Sequence, residues 1–547
     1  MFWGDLRGKS RNNQSLQIAQ DRNMATTLSH PTIGRIQGNT EKDLTQYLGI
    51  KYGNLENRFS TATPVKYGPN STLDATHHAP TALQGPDNVD GELGLIQHSL
   101  PCTYRETSDT ECLALSITVP EGTTSSSGLP VLVFIHGGGF QLGSTTWPQY
   151  DFRRVVRLAS ERGTPIIGVG INYRLGISGF LYSKDIKAAG YKPNRGLSDQ
   201  RLALKWIREH IKGFGGDPER VTVAAESAGA SALTMHLQSE EKLFSRAVAM
   251  SGTDVAVKGV PPFVGEMIWD KAVEVLELKG SGEEKVKQLL AMKGLDMLGK
   301  AGMAVQTMPI IDGEVIKTGT TYEMLQQQGT IPGTKWCEAL MIGDCGFDGN
   351  IMFLHLGRHK QGIAAKFIAN AEKTLPADSA KRLVDIYSLT PSTEDEKAFL
   401  QVLRFANDIA FYAPTKAYAS HFAAAGKDTF VYRFNAPNPW PGQFHGEATH
   451  ILDIAYLFQN FNQVLPSDKE REVAKSMAEV FIDFTVGKAP VEKRTKEGGK
   501  AIVFGKGSVD VVDDLPEKTD RRKAFEDLGN EIGFSKLDGT LGSLMMS

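Results

Sequence analysis

From residue 129 to residue 249 the apolar positions fall into short unbroken runs separated by stretches of helical spacing. The runs at 131–135, 165–172, 221–225 and 247–251 carry almost no polar side chains, the pattern of strands buried on both faces. Between them, 199–211 places Leu202, Trp206, Ile207 and Ile211 on one side of a helix, and 230–237 continues from a strand as a second helix. Strand and helix in alternation predict an α/β protein with a mostly parallel sheet covered by helices on both faces. Further along, 339–342 reads as one more buried strand, while 255–329 and 364–425 are mainly helical in pattern. Residues 492–500, rich in Lys, Glu and Gly, read as an exposed loop, and no internal repeat or low-complexity linker interrupts the chain.

The run at 221–225 ends in Ala225-Glu226-Ser227-Ala228-Gly229. A strand that closes on small-x-Ser-x-small and turns directly into a helix forms a nucleophile elbow. The serine backbone is strained there and its Oγ stands alone above the sheet edge. Only small residues fit the flanking positions, because strand and helix nearly touch. Ala225, where glycine is usual, adds a methyl at that tight point. Taken alone, the pentad is equally compatible with a serine that caps a helix.

Upstream, the run at 131–135 leads into His136-Gly137-Gly138-Gly139-Phe140. With no Cβ in the way, glycine N–H groups can converge on one concavity and stabilise the oxyanion of an acyl-transfer intermediate. Combined with the N–H that follows the nucleophile, this predicts an oxyanion hole built by Gly138, Gly139 and Ala228. A phosphate-binding loop fits less well, since no Lys-Ser/Thr follows the glycines and no GxGxxG spacing is present. A serine hydroxyl also needs a histidine base, and the histidine a carboxylate that fixes its tautomer. In this arrangement the chain order is Ser, then Asp or Glu, then His. Asp344 and Asp348 compete for the acid within Ile342-Gly343-Asp344-Cys345-Gly346-Phe347-Asp348-Gly349, whereas Glu338 precedes the strand and faces its wrong end. His445 and His450 compete for the base.

These motifs in this order resemble the type B carboxylesterase family, the carboxylesterase/cholinesterase/lipase group of the α/β-hydrolase fold. The resemblance runs from His30 to about residue 530 and includes Leu48-Gly49-Ile50-Lys51-Tyr52, Glu111-Cys112-Leu113, Asn172-Tyr173-Arg174 and Gly179-Phe180-Leu181. It continues through Asn194-Arg195-Gly196-Leu197 to Phe214-Gly215-Gly216-Asp217-Pro218, its most specific piece. The fold it implies is a mostly parallel, twisted central sheet with helical insertions over the active-site gorge. For the acid it implies Asp348, where the family carries Asp/Glu-Gly, with Asp344 as a turn or supporting group. For the base it favours His450, which is followed by Asp453 at +3, Ile454 at +4 and aromatics Tyr456 and Phe458 at +6 and +8, as in the family. His445 is then a loop or gorge-lining residue. Glu226 and Ser251 match a pair that lies close behind the histidine in the family; an ordinary buried ion pair or helix cap is the other reading. His136 is expected to brace the oxyanion loop.

The resemblance implies hydrolysis of carboxylic esters through an acyl-enzyme. Two other readings stay open: an acyltransferase or cyclase using the same chemistry, and a silent binding module of the kind that has lost the triad. Neither a metal nor an organic cofactor is expected, and Cys337 and Cys345, on either side of 339–342, lack the spacing of zinc ligands. Only the nine residues 103–111 separate Cys102 from Cys112, whereas the family's true lipases fold a long lid there. The segment also contains no Trp, which cholinesterases use at this place to stack on choline. A short or medium acyl chain, or a compact metabolite ester, is therefore the expected substrate.

Composition adds limits. The chain has 547 residues, 41% hydrophobic and 22% charged, ordinary values for a globular protein. Large α/β sheets form single domains of this size, so 24–547 is expected to be one domain, preceded by a polar, disordered leader at 1–23 with Met24 as an alternative start. A net charge of −3 without any basic block argues against nucleic acid as a partner. No apolar run reaches the roughly 18 residues of a membrane span. The polar N-terminus has no signal-peptide core, which points to the cytoplasm. There Cys102 and Cys112, disulfide-bonded in secreted members of the family, would stay reduced.

Overall fold

The computed structural model describes residues 24–68, 70–103, 106–496, 498–514 and 521–546. The expected leader at 1–23 lies outside the described residues. The main sheet has thirteen strands: β1 (Met24–His30), β2 (Gly34–Glu41), β3 (Leu44–Lys51), β4 (Thr72–Asp74), β5 (Ala114–Pro120), β6 (Leu129–Ile135), β7 (Ile167–Ile171), β8 (Gly216–Glu226), β9 (Arg246–Met250), β10 (Ala339–Cys345), β11 (Asp428–Phe434), β12 (Lys500–Phe504) and β13 (Val509–Asp513). Their spatial order is β1-β2-β3-β5-β7-β6-β8-β9-β10-β11-β12-β13, with β4 on β2. Every pairing from β7 across to β12 is parallel. The path from β1 to β7 through β5 is antiparallel, and so is the last strand, β13.

The strands without polar alternation have a simple cause. Along β6, Val131, Val133 and Ile135 enter one apolar core, while Leu132 and Phe134 enter a second. In β10, Leu340 and Ile342 face the first core, Ala339 and Met341 the second. Side chains of period two between two helical layers must divide in this way, so both faces need apolar residues. The helices Arg195–His210 and Ala228–His236 cover the first core. The helices Arg153–Glu161 and Asp468–Val486 cover the second.

Some boundaries depart from the sequence pattern. The helix expected at 199–211 starts at Arg195, because the buried Arg195 guanidinium donates to the carbonyls of Ser178, Leu181 and Lys192 at 2.6–2.8 Å. An arginine in that role carries no apolar signal. The strand expected at 339–342 runs on to Cys345, since Asp344 stays in register with Arg433 of β11 and forms a buried ion pair with it. The loop at 492–500 is not exposed throughout: Arg494 is buried and paired with Asp514.

Of the two helical regions, the first has a core of its own, whereas the second packs into the first core of the sheet. Pro262–Val275, Gly282–Ala291 and Gly294–Ala301 gather Trp269, Leu276, Leu289 and Met297 around Phe59 and Leu181. In the second region, the helix Asp395–Asn407 runs into a π-helical turn at Asp408–Tyr412, and Ala413–Ala424 follows. Such turns are rare and gather at functional sites.

Candidate active site

Parallel strands bring the loops at their carboxyl ends to one edge of the sheet. There the ends of β6, β8 and β10 meet the loop that follows β11. Ser227 follows β8 with φ 55° and ψ −125°, a conformation side chains avoid. It precedes the helix Ala228–His236, yet its side chain makes no capping bond. Close packing enforces the turn. A Cβ on Gly229 would lie 2.4 Å from Ile135 O, and one on Gly252 2.2 Å from Ser227 O. Ala225 escapes this crowding: it lies within β8 opposite Ile135 and Ala249, where its methyl joins the core.

Two loops face the serine. His450 Nε2 is 2.8 Å from Ser227 Oγ, and His450 Nδ1 is 2.7 Å from Asp348 Oδ1. A carboxylate only accepts, so Nδ1 carries the proton and Nε2 accepts from the serine hydroxyl. Asp348 Oδ2 accepts from the Cys345 N–H at 2.8 Å, and the His450 N–H donates to Asn350 Oδ1 at 2.8 Å. The Phe347 N–H donates to Ala448 O at 2.8 Å and ties the two loops together. The ring of Phe411, on the π-helical turn, lies 5.4 Å from the His450 ring.

The rivals lie elsewhere. His445 is exposed on its loop, Asp344 is held by Arg433, and Glu338 is half-exposed beside Lys242 and Arg246 at the opposite end of β10.

The glycine loop follows β6 with φ 93° at Gly138 and 59° at Gly139. A Cβ at Gly138 would lie 2.1 Å from Leu142 O. Among the described residues, the N–H groups of Gly138, Gly139 and Ala228 donate to no other group. The loop is braced on several sides. The His136 ring stacks on Tyr173 at 4.6 Å, its Nδ1–H donates to Gly137 O at 3.0 Å, and the Tyr173 hydroxyl donates to His136 O at 3.0 Å. Burial lowers the His136 pKa to about 4, so it stays neutral in this role. Gln141 Nε2 donates to Thr307 O at 2.6 Å, which joins the loop to the first helical insertion.

Further carboxyl groups crowd around the histidine. Glu226 Oε1 lies 3.2 Å from His450 Nε2. Burial pushes the Glu226 carboxyl well above its usual range, and Asp453, Glu92 and Asp348 push the same way. Burial, reinforced by Asp348, raises Asp453 to about 7. Glu92 accepts from the Tyr150 hydroxyl at 2.6 Å and from Gln149 Nε2 at 2.8 Å. Ser251 sits one step further away: its Oγ accepts from the Cys345 N–H at 3.3 Å, the donor it shares with Asp348. Sequence reasoning missed Glu92, Asn350, Asn407 and Phe411. Of these only Asn350, two residues past Asp348, lies near enough in sequence to have been flagged. Cys112 is a buried free thiol whose pKa burial raises to about 12. Among the described residues no cluster of His, Cys, Asp or Glu is grouped to hold a metal ion, and no helix is long and apolar enough to cross a membrane.

A parallel sheet with a serine elbow and a facing histidine defines an α/β-hydrolase. A solved PNB esterase superposes with a TM-score of 0.74 at 24% identity, over 92% of this chain and all of that one. The family model described as Carboxylesterase family matches residues 23–500, and the chain belongs to that family. It is an ester-hydrolysing enzyme. Para-nitrobenzyl esterase of Bacillus subtilis (strain 168) is 28% identical over 448 residues, 78% of this chain and 82% of that protein. Lipase 3 of Yarrowia lipolytica (strain CLIB 122 / E 150) is 27% identical, covering 78% of this chain and 83% of its own. Esterase B1 of Culex pipiens is 27% identical over 69% of this chain and 74% of its own.

Proposed function

We propose that the protein hydrolyses carboxylic esters through an acyl-enzyme formed on Ser227. His450 takes the serine proton during attack and returns it to the leaving alcohol. Asp348 holds the imidazole in the required tautomer and stabilises the imidazolium that forms. The N–H groups of Gly138, Gly139 and Ala228 receive the developing oxyanion. Water, activated by the same histidine, then releases the acid. Glu226 and Ser251 support the site from behind, Glu226 at the imidazole and Ser251 through the Cys345 N–H. The observation that carries this reading is the line from Ser227 Oγ through His450 to Asp348, at 2.8 and 2.7 Å.

The substrate is a small-molecule ester with a short or medium acyl chain or a compact metabolite skeleton. Support comes from residues 107–111, which are fastened down rather than hinged. Thr107–Ser108 pairs with Thr81–Ala82, Asp109 lies 3.0 Å from Arg58, and Glu111 lies 2.7 Å from Lys51. The buried thiol of Cys112 accords with a cytoplasmic setting, and residues 24–547 act as one domain.

The test uses Ser227→Ala, whose methyl fits the elbow. Wild-type protein should take up one equivalent of a fluorophosphonate and lose activity. The variant should take up none, keep its circular dichroism spectrum and lose about a millionfold in turnover. Retention of even about a tenth of the activity, far above that expectation, removes Ser227 from the nucleophile role.

A further inference from the structure

A single helix, Asp395–Asn407, touches both loops that carry the acid and the base. Gly349, next to Asp348, is pressed against it: a Cβ there would lie 2.1 Å from Leu403 O, and the Gly349 N–H donates to Asn407 Oδ1 at 3.1 Å. From the same helix Arg404 reaches the other loop. Its Nη2 lies 2.7 Å from Glu447 Oε1, three residues before His450. The same guanidinium lies over the ring of Phe347, 5.0 Å from its centroid and one residue before Asp348. Glu447 is itself tied into its loop, because its carbonyl accepts from the Asn438 N–H at 2.8 Å and from the Thr449 N–H at 3.0 Å. The two side chains are 29% and 33% exposed, so water screens their charges only in part.

We infer that the Arg404–Glu447 pair is a positioning clamp that sets the spacing between the Asp348 loop and the His450 loop. The inference rests on the proposed roles of Ser227, His450 and Asp348. The charge-assisted bond to Glu447 and the stacking on Phe347 act through one rigid, planar group, so a change at either loop is felt at the other. The Phe347–Ala448 backbone bond lies between these two contacts and closes the same unit. Neither Arg404 nor Glu447 touches the reacting atoms. Their effect is on alignment, and about 1 Å of misplacement in such a chain costs on the order of a hundredfold in rate.

The test compares Arg404→Ala, Glu447→Ala, the double variant, Arg404→Lys and Arg404→Met in the full chain, with p-nitrophenyl butyrate as substrate. Arg382→Ala, which breaks the exposed Arg382–Glu531 pair, serves as the control. Each single alanine variant should lower kcat about tenfold with KM nearly unchanged, the signature of lost alignment rather than lost binding. The double variant should be no worse than the weaker single, since both remove one interaction. Arg404→Lys should recover more of kcat than Arg404→Met, and Arg382→Ala should match wild type. Unchanged kcat in the single variants, additive losses in the double, or equal recovery by Met and Lys would each overturn the clamp. If Arg404→Ala fails to fold, the isosteric Glu447→Gln tests the same contact through kcat. Ser227→Ala is measured alongside. Its full loss of activity together with silent Arg404 variants removes the clamp alone, whereas residual activity in Ser227→Ala removes the triad on which the clamp rests.

Discussion

Glu226 Oε1 and Ser227 Oγ approach the same nitrogen, His450 Nε2, at 3.2 and 2.8 Å. The carboxyl is buried and pushed well above its usual range, chiefly by desolvation. A carboxyl held towards its protonated form adds little charge beside the imidazole that accepts from the serine hydroxyl. In the proposed mechanism, an imidazolium at His450 would favour the ionised carboxylate at this position, and the attraction would grow as the reaction proceeds. Glu226→Gln keeps the shape and removes the ionisation. It should lower kcat by about ten- to a hundredfold at constant KM, the scale of a lost electrostatic contact to developing charge. Stopped-flow measurement of the acylation step checks this, and an unchanged rate would exclude the carboxylate from the reaction.

His450→Ala should be nearly as damaging as loss of Ser227, because members of a triad act as a unit. His445→Ala should cost far less, since that ring is exposed and away from the serine. Steady-state kinetics of the two variants on one soluble ester decide the matter. The reverse ranking would assign the base to His445.

Asp453 ties stability to pH. Burial and the neighbouring Asp348 carboxyl raise it to about 7, against about 4 in an unfolded chain. A raised acid binds its proton more tightly when folded. Its stabilising contribution is therefore complete below about pH 4 and is lost as pH rises through about 7. Asp453→Asn mimics the protonated form at every pH. Its melting temperature should match wild type near pH 4 and exceed it at pH 8, by the equivalent of roughly a few kcal/mol. Calorimetry of both proteins across that range checks it, and parallel curves would refute the assignment.

The contacts that fasten residues 107–111 argue against a lid that opens at an oil surface. The rate on a triglyceride should rise smoothly with concentration and show no jump at the solubility limit. A sharp increase above that limit would mean that one of the helical insertions moves as a cover.

Part of this site is legible without coordinates. Ala225-Glu226-Ser227-Ala228-Gly229 and His136-Gly137-Gly138-Gly139 are contiguous, and steric limits within a few residues oblige small side chains at fixed places. The strand–helix alternation from 129 to 249 is local in the same sense, because burial on both faces marks each strand by itself. The candidates for acid and base are different. Asp348 lies 102 residues from His450, and His450 lies 223 from Ser227. At those separations spacing carries no geometric information, so Asp344 beside Asp348 and His445 beside His450 remained as rivals. Register separates the first pair: β10 keeps Asp344 opposite Arg433, where the two charges neutralise each other, and Asp348 falls in the turn beyond, next to His450. Packing separates the second pair, since the Phe347–Ala448 bond ties the His450 loop to the Asp348 loop beside the serine and leaves His445 in solvent. Glu92, Asn407 and Phe411 had no signal at all. A single polar or aromatic residue on a helix fits no period or motif, and its meaning depends on which distant segment folds against it.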